Sequence, residues 1–278
     1  MLNVEDSLSD AVEQTLLIPL WCCANPCRAN PEASYDPMAV RVIQTIDFDF
    51  SNIKKSFKEY GQVCCLAREM HIDRCVSDFL AKNPEGTIVN LGCGFSTAAF
   101  RTKRPSGLWY DIDQPPVIEA RRKILPEDNG EILLAYDMYD PAWMNEIAYS
   151  QDKGILFLAA GVFHYQDPKL LLAFLSLLAG RYPLGSLVFD AVSRLGMRIS
   201  NAYVKRAGNT DATMRFYVRS KESLKKASPH FARVSTEPYF ASFPKCDLTL
   251  SSRVNIALVK LFSMLFFVTI AFSPSNEA

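Results

Sequence analysis

Two glycines and an aspartate stand at the ends of two consecutive apolar runs, an arrangement typical of nucleotide binding. Gly92 and Gly94 follow the run Thr87–Leu91, and a turn without Cβ atoms lets a ligand approach the backbone closely. Alone, this turn would also fit an ordinary strand-to-helix connection. Asp113 ends the next run, 21 residues after Gly92. A carboxylate there can accept hydrogen bonds from both ribose hydroxyls, each contributing about 1.5–3 kcal/mol, so the pattern predicts a site for an adenosine-containing cofactor.

Residue 97 distinguishes two kinds of adenosine cofactor. A dinucleotide-binding turn has a third glycine there, which gives the pyrophosphate access and lets the helix pack closely. This chain has Thr97 at that position, after the bulky Phe95. S-adenosylmethionine carries no pyrophosphate, so Thr97 favours it over NAD. An NAD-dependent oxidoreductase stays open as an alternative because the 21-residue spacing fits it too.

The elements that must position these residues alternate between strands and helices from Thr87 onward. This alternation is typical of βαβ units and a parallel sheet, in which ligands bind beyond the carboxyl ends of the strands. The predicted strands are TIVNL, LWYDI, EILLAY, GILFLAA, SLVFDAV and Phe231–Tyr239, and the predicted helices are Pro116–Leu125, Pro168–Leu178, Met197–Arg206 and Lys221–Ser228.

The residues before Thr87 have a different pattern. Tyr60–Lys82 has the apolar periodicity of one helix face, and prolines keep Leu20–Asp36 from forming one continuous helix. A loop signal follows at Asn83–Gly86. We expect residues 1–85 to form a helical cap or lid over an acceptor pocket, and residues 86–278 to form the catalytic core.

The composition argues against several functional classes. Among 278 residues, 30 are Lys or Arg and 30 are Asp or Glu, so the chain lacks the uniform basic charge typical of nucleic-acid binding. Eight cysteines, about 3% of the chain, are too few for a disulfide scaffold. The first 20 residues contain no Lys or Arg before their apolar stretch, unlike a signal peptide. We expect reduced cysteines, a cytoplasmic location and a small-molecule partner, whereas the oligomeric state cannot be predicted.

The apolar run Val254–Phe272 is 19 residues long and could span a bilayer as a C-terminal anchor. Lys260 interrupts it. A helix over Ser252–Leu261 followed by a buried strand over Met264–Phe272 is favoured, because β-branched residues at 268–270 suit a strand.

The cysteines fall in two clusters, Cys22–Cys23–Cys27 and Cys64–Cys65–Cys75. Neither contains the paired CxxC spacing of a zinc site. We predict no metal site and interpret these cysteines as small buried apolar residues.

Several longer motifs resemble the leucine carboxyl methyltransferase and tetracenomycin-type O-methyltransferase family. They are NLGCGFSTAAFR, WYDIDQPPVIEARR and AAGVFHY, with EQTLLIPL, YDPMAV and IDFDFS nearer the N-terminus. The resemblance implies a Rossmann-like class I methyltransferase fold, an α/β architecture whose seven-stranded, mostly parallel sheet has its last strand antiparallel. It also implies S-adenosylmethionine as methyl donor and S-adenosylhomocysteine as product.

The resemblance also implies roles for individual residues. Arg68 would pair with the methionine carboxylate of the cofactor, and Gly92, with Gly94 beside it, would lie against the cofactor. Asp113 would hold the ribose, and Asp137 and Met138 would flank the adenine.

Two positions depart from the family pattern. Ala160 stands where leucine carboxyl methyltransferases have a cofactor-binding glutamate, and Ser96 stands where an aspartate is frequent. A protein phosphatase substrate is therefore unsupported. The AAGVFHY motif is closer to the small-molecule branch, and Ala160 keeps open a non-catalytic protein that binds S-adenosylmethionine.

Three residues are candidates on the acceptor side. His164 follows the fourth predicted strand, where the topology would turn it toward the acceptor, and histidine titrates near neutral pH. Its alternative role is a packed, hydrogen-bonded histidine at the strand end. Tyr165 and Arg194 could bind the acceptor. A carboxylate acceptor would need no base, whereas a phenol would need a proton acceptor such as His164.

Overall fold

The computed structural model describes residues 2–3, 10–31, 35–103, 106–126, 130–206 and 213–274. For residues 2–3, 10–15 and 203–206 it describes the backbone alone. Residues 1, 4–9 and 32–34 of the predicted cap lie outside the described part of the chain.

The core of the fold is a seven-stranded sheet. Two short strands, β1 (Leu2–Asn3) and β2 (Ile46–Asp47), pair separately from it. The seven strands are β3 (Thr87–Leu91), β4 (Trp109–Asp113), β5 (Glu131–Ala135), β6 (Ile155–Ala159), β7 (Ser186–Val192), β8 (Phe231–Pro238) and β9 (Leu265–Phe272). Their order across the sheet is β5-β4-β3-β6-β7-β9-β8, and β9 runs antiparallel to both of its neighbours. The prediction of a mostly parallel sheet with an antiparallel last strand is confirmed.

The helices are close to those predicted from periodicity. They are α1 (Asp10–Ala24), α2 (Pro37–Thr45), α3 (Ser51–Ser56), α4 (Glu59–Lys82), α5 (Ala98–Arg101), α6 (Pro115–Ile124), α7 (Pro168–Arg181), α8 (Arg194–Arg206), α9 (Lys221–Lys225) and α10 (Leu250–Leu261), with 3-10 turns at Pro141–Asn145 and Phe163–Tyr165. Helix α8 begins three residues earlier than predicted, and α9 ends three residues earlier.

Helices cover both faces of the sheet. On β6, Leu156 and Leu158 pack with Ile72 and other apolar residues of α4, whereas Phe157 and Ala159 pack on the opposite side with the apolar face of α7. All five residues of β6 are buried. Such unbroken burial explains the continuous apolar runs in the sequence, because a parallel strand covered on both faces needs no polar alternation.

The N-terminal helices form their own apolar cluster against the start of the sheet. Leu17 of α1, Val42 of α2 and Leu66 of α4 belong to this cluster, together with Phe95 beside the glycine turn. The N-terminal segment therefore lies next to the predicted cofactor site. The division at residues 85 and 86 stays a prediction, as does the lid role.

The apolar C-terminal run divides into α10 and β9, as the favoured interpretation predicts. Within the described residues, we find no helix with the length and apolar character needed to cross a bilayer.

Candidate functional site

The glycine turn lies at the carboxyl end of β3. Gly92 and Gly94 have φ values of +63° and +49°, in the left-handed region that glycine enters without strain. A Cβ atom at Gly92 would lie 2.6 Å from Val162 Cγ2. This position therefore requires glycine for both its conformation and the close packing around it.

Asp113 ends β4 directly beside this turn. Its Oδ2 accepts a hydrogen bond from the Gly94 backbone N–H at 2.8 Å, and its Oδ1 accepts one from the Gln114 N–H at 2.8 Å. Burial raises the pKa of Asp113, although these two N–H groups oppose part of the rise. Each oxygen keeps a further lone pair, so the carboxylate can still accept ribose hydroxyls.

A buried arginine on α6 holds the backbone of the turn. Arg121 Nη1 donates to the carbonyls of Gly94 at 3.1 Å and Ser96 at 2.8 Å. Its Nη2 donates to Asp111 at 2.8 Å and to Glu131 at 3.0 Å. One fully buried side chain thus joins the turn to β4 and β5 and fixes its shape.

Arg68 of α4 reaches the end of β6. Its guanidinium lies so close to Gly161 that a Cβ atom there would be 2.5 Å from Arg68 Nη1. The nearest carboxylate oxygens, Asp190 Oδ2 and Glu69 Oε1, are each 3.8 Å away. Among the residues whose side chains are described, none accepts a hydrogen bond from the buried Arg68 Nε. A largely buried guanidinium with an unused Nε donor is suited to receive a carboxylate.

Asp190, near the carboxyl end of β7, joins Arg68 to His164. Its Oδ1 accepts the Gly161 N–H at 2.7 Å, and its Oδ2 lies 3.1 Å from His164 Nε2. Burial alone would raise the pKa of Asp190, but His164, Arg68 and the Gly161 N–H together hold it well below its usual range. Because an ionised carboxylate only accepts hydrogen bonds, Nε2 carries the proton and Nδ1 carries the lone pair in a neutral imidazole.

The other acceptor-side candidates differ in position. Tyr165 is half-buried beside His164, with ring centroids 6.2 Å apart. Burial raises the pKa of Tyr165, and the charge of Arg68 partly opposes that rise. Arg194 instead lies exposed at the first residue of α8. The structure therefore brings His164 and Tyr165 to the Arg68–Asp190 pair and leaves Arg194 at the surface.

Three further predicted residues also lie beyond the carboxyl ends of the strands. Asp137 is exposed in the turn after β5, and its Oδ1 accepts the Tyr139 N–H at 2.9 Å. The half-buried Met138 follows it. Ala160 is half-buried at the end of β6, one residue before Gly161.

An ion-pair cluster ties the N-terminal segment to the helix after the glycine turn. Arg101 Nη1 lies 2.5 Å from Asp36 Oδ2, and its other nitrogens contact Glu69 and Asp73 at 2.8 Å. Thr97 also donates to Asp36, at 2.5 Å. Thr97, which takes the place of a third glycine, therefore binds an aspartate that precedes α2.

The sequence reasoning missed Arg121 and Asp190. Each carried a signal, because a charged residue inside an apolar run or on the buried face of a helix needs a partner. Asp190 interrupts the apolar run SLVFDAV, and Arg121 follows Ala120 on the buried face of α6.

The cysteines show no arrangement for metal binding in the part of the chain that is described, where no three metal-ligating side chains cluster. Cys93, inside the glycine turn, is buried, and burial raises the pKa of its thiol. A thiol in that state is a poor nucleophile.

The residues at the carboxyl ends of the strands fit an adenosyl cofactor with an amino-acid tail. The turn has the left-handed conformation that glycine adopts, Asp113 retains acceptor capacity for a ribose, and Arg68 has an unused Nε donor for a carboxylate. These features suit the ribose and the methionine carboxylate of S-adenosylmethionine.

The comparisons with known proteins agree with this assignment. The model of the leucine carboxyl methyltransferase family matches residues 24–178. The tetracenomycin polyketide synthesis O-methyltransferase TcmP of Streptomyces glaucescens is 28% identical over 219 residues, which cover 78% of this chain and 79% of that protein. The S-adenosyl-L-methionine-dependent methyltransferase dpfgK of Gibberella zeae is 29% identical over 165 residues, 55% of each chain.

A comparison with solved structures supports the fold. A crystal structure from Thermobifida fusca, of a protein assigned as a methyltransferase, superposes with a TM-score of 0.57 over 92% of this chain and 94% of its own, at 13% identity. At that identity the likeness shows the fold alone. The family match, however, spans more than half of the 278 residues and includes the glycine turn, Asp113 and His164, so the chain belongs to the leucine carboxyl methyltransferase family and is an S-adenosylmethionine-dependent methyltransferase.

Proposed function

We propose that this enzyme methylates a carboxylate oxygen of a small molecule, beyond the carboxyl ends of β6 and β7. The state of His164 carries the proposal. Its Nε2 is engaged by Asp190 at 3.1 Å, the residue is 6% exposed, and its Nδ1 is buried without a partner among the described residues. The histidine is thus held away from solvent. A carboxylate is already ionised near pH 7, whereas a phenol with a pKa of about 10 needs a base.

The proposed cofactor contacts lie along the carboxyl ends of the strands. Arg68 would bind the methionine carboxylate, Asp113 would bind the ribose hydroxyls, and the two turn glycines would lie against the cofactor. Asp137 and Met138, after β5, would flank the adenine, which places the cofactor across the ends of β6, β3, β4 and β5. The order of the strands supports this path because β5, β4, β3 and β6 are consecutive neighbours.

When bound, S-adenosylmethionine supplies an electrophilic methyl group on its sulfonium. The residues of this chain then have to bind, orient and exclude water. Arg68 and the glycine turn fix the cofactor, and aligning the reacting atoms can contribute about 7–11 kcal/mol. Apolar residues of the N-terminal segment, such as Leu16, whose Cδ2 is 2.9 Å from where a Gly94 Cβ would be, would keep water from the turn. Tyr165, beside His164, is the proposed acceptor-side residue, and Ala160 would lie against the cofactor. Arg194, exposed at the start of α8, stays a candidate for binding the acceptor.

One observation favours phenol methylation as a second candidate. An imidazole with one nitrogen on a buried carboxylate and a lone pair on the other is the usual arrangement of an oriented general base. His164 and Asp190 have this arrangement. For His164 to act, the phenol would have to reach the buried Nδ1.

A single substitution distinguishes the two candidates. His164→Gln keeps a donor for Asp190 and removes the imidazole. We expect the variant to methylate carboxylate acceptors at a rate near that of the wild type, measured by transfer of a labelled methyl group to a panel of carboxylic acids and phenols. His230→Ala, at a half-buried residue that directly precedes β8, is the matched control. A loss of roughly 10²–10⁴-fold on a phenol, with carboxylates inert in the wild type, would favour the second candidate. The expected acceptor is a small molecule, and the expected location is the cytoplasm.

A further inference from the structure

Helix α10 exposes an unusual number of apolar side chains. Leu250 and Leu261 are 75% and 74% exposed. Val254, Leu258 and Phe262 are each between 41% and 52% exposed. An exposed leucine alone has no special meaning, but a contiguous apolar patch on a surface indicates an interaction site.

The exposed residues form one stripe. Positions 250, 254, 258 and 261 are separated by four, four and three residues, so they lie on one face of the helix. The opposite face packs against the protein through the buried Val259 and the partly buried Ile256. Helix α10 therefore has an apolar face on each side, whereas a surface helix normally directs only one apolar face inward.

The start of α8 lies beside the end of α10. The Met264 carbonyl, just after α10, accepts the Ser193 N–H at 3.0 Å. A Cβ atom at Gly196 would lie 2.3 Å from that same carbonyl oxygen. The first turns of α8 therefore adjoin the end of α10, and they add two exposed apolar residues, Leu195 and Ile199.

We propose that this surface, the α10 stripe with Leu195 and Ile199, binds a second copy of the chain in a two-fold symmetric dimer. A two-fold interface pairs the same patch with itself, and the stripe suits antiparallel α10 helices because its apolar positions run the whole length of the helix. The 12-residue helix is about 18 Å long, so the stripe offers a contact of that length to the same helix of a second copy.

The charges at the two ends of α10 favour this occupant. Asp247 precedes the helix, and its side chain is 92% exposed, 3.7 Å from Arg28. Lys260 is exposed at the other end. In an antiparallel pair, the amino end of one α10 lies beside the carboxyl end of the other, which brings Asp247 of each copy toward Lys260 of its mate. The opposed helix dipoles act in the same direction.

Sedimentation equilibrium of the full chain tests the proposal. We expect a dimer at micromolar concentration, and we expect the double variant Leu250→Glu/Leu261→Glu to raise the dissociation constant at least 100-fold. Leu177→Glu, at a residue of α7 that is 51% exposed, is the matched control and should dimerise normally. A monomeric wild type, or a double variant that dimerises like the wild type, overturns the proposal.

Charge reversal tests the antiparallel arrangement and needs no apolar change. Lys260→Asp alone should weaken the dimer, and Asp247→Lys/Lys260→Asp should restore it, which a lipid surface or an unrelated partner would not do. Failure of the double reversal to restore dimerisation overturns the arrangement. Flotation with vesicles of phosphatidylcholine and phosphatidylglycerol completes the test, because a monomeric wild type that floats with the vesicles assigns this surface to a membrane. Thermal unfolding of each variant verifies that it is folded.

Discussion

Replacing Arg121 by methionine should both destabilise the protein and distort its cofactor site. The change removes a fully buried guanidinium and leaves Asp111 and Glu131, whose side chains are 1% and 3% exposed, without their cation. Removing one member of a buried ion pair costs about 3–5 kcal/mol. That is a large part of the roughly 5–15 kcal/mol by which a domain is stable.

Urea unfolding measures this loss, and two further variants separate its causes. Arg74→Met, at a side chain that is 39% exposed, removes two partly exposed ion pairs, to Glu237 at 2.7 Å and to Asp78 at 3.4 Å. It should cost no more than about 1 kcal/mol. In Arg121→Met/Asp111→Asn/Glu131→Gln the unpaired charges are also removed, so most of the lost stability should return.

Cofactor binding should not return in that triple variant. The carbonyls of Gly94 and Ser96 still lack the donor that Arg121 provides, and the turn is free to change shape. We expect calorimetry to show an affinity for S-adenosylhomocysteine at least tenfold below that of the wild type, equivalent to about 1.4 kcal/mol. Arg121 would have no role in positioning the turn if the triple variant bound the cofactor normally, and the ion-pair argument would fail if Arg121→Met cost less than about 1 kcal/mol.

Three further predictions follow from single side chains. Gly161→Ala should displace Arg68, because its Cβ would meet Nη1 at 2.5 Å and Gly161 has a φ of +74°; calorimetry should show weaker S-adenosylhomocysteine binding while the far-ultraviolet circular dichroism stays unchanged. Thr97→Val should cost about 1–3 kcal/mol in urea unfolding, because Asp36 loses a buried donor, and a loss below a few tenths would contradict the importance of this bond. Burial raises the pKa of Glu131 from 4.5 to about 7, so the folded state retains the proton longer than the unfolded state. The free energy of unfolding should therefore fall as pH rises from 4.5 toward 7, and Glu131→Gln should flatten that slope; an equal slope in the variant would show that another group is responsible.

The regular parts of the structure could be predicted because their causes are local. The run TIVNL corresponds to β3, and Tyr60–Lys82 corresponds to α4 apart from one residue. Runs of buried residues and helical periodicity are properties of neighbouring residues. The early start of α8 at Arg194 also has a local cause, because the Ser193 hydroxyl accepts the Gly196 N–H at 3.2 Å as an N-cap. The bond from the Ser193 N–H to Met264, 71 residues later in the chain, is not encoded by any local pattern.

The cofactor site likewise contains residues that the sequence predicts and residues that it does not. The position of Asp113 beside Gly94 follows from the strand order of a parallel sheet, so spacing sufficed to predict it. The choice between NAD and S-adenosylmethionine rested on Thr97, and family membership agrees with it. The partner of His164 could not be predicted, because Asp190 lies on the neighbouring strand β7, 26 residues away in the chain. A sequence alone shows neither which face of β7 the aspartate occupies nor what it meets there.

The charges around Arg68 bear on the glutamate that is missing at position 160. Four carboxylates and two guanidinium groups lie in one connected cluster, formed by Asp36, Glu69, Asp73, Asp190, Arg68 and Arg101. Their formal charges leave an excess of two negative charges. S-adenosylmethionine carries a net positive charge through its sulfonium, and an excess of negative charge nearby favours its binding. Asp190, with Oδ1 2.7 Å from the Gly161 N–H, brings part of that charge to the residue next to Ala160. The alanine therefore removes one acidic side chain from a site whose surroundings remain acidic, which is compatible with an active methyltransferase.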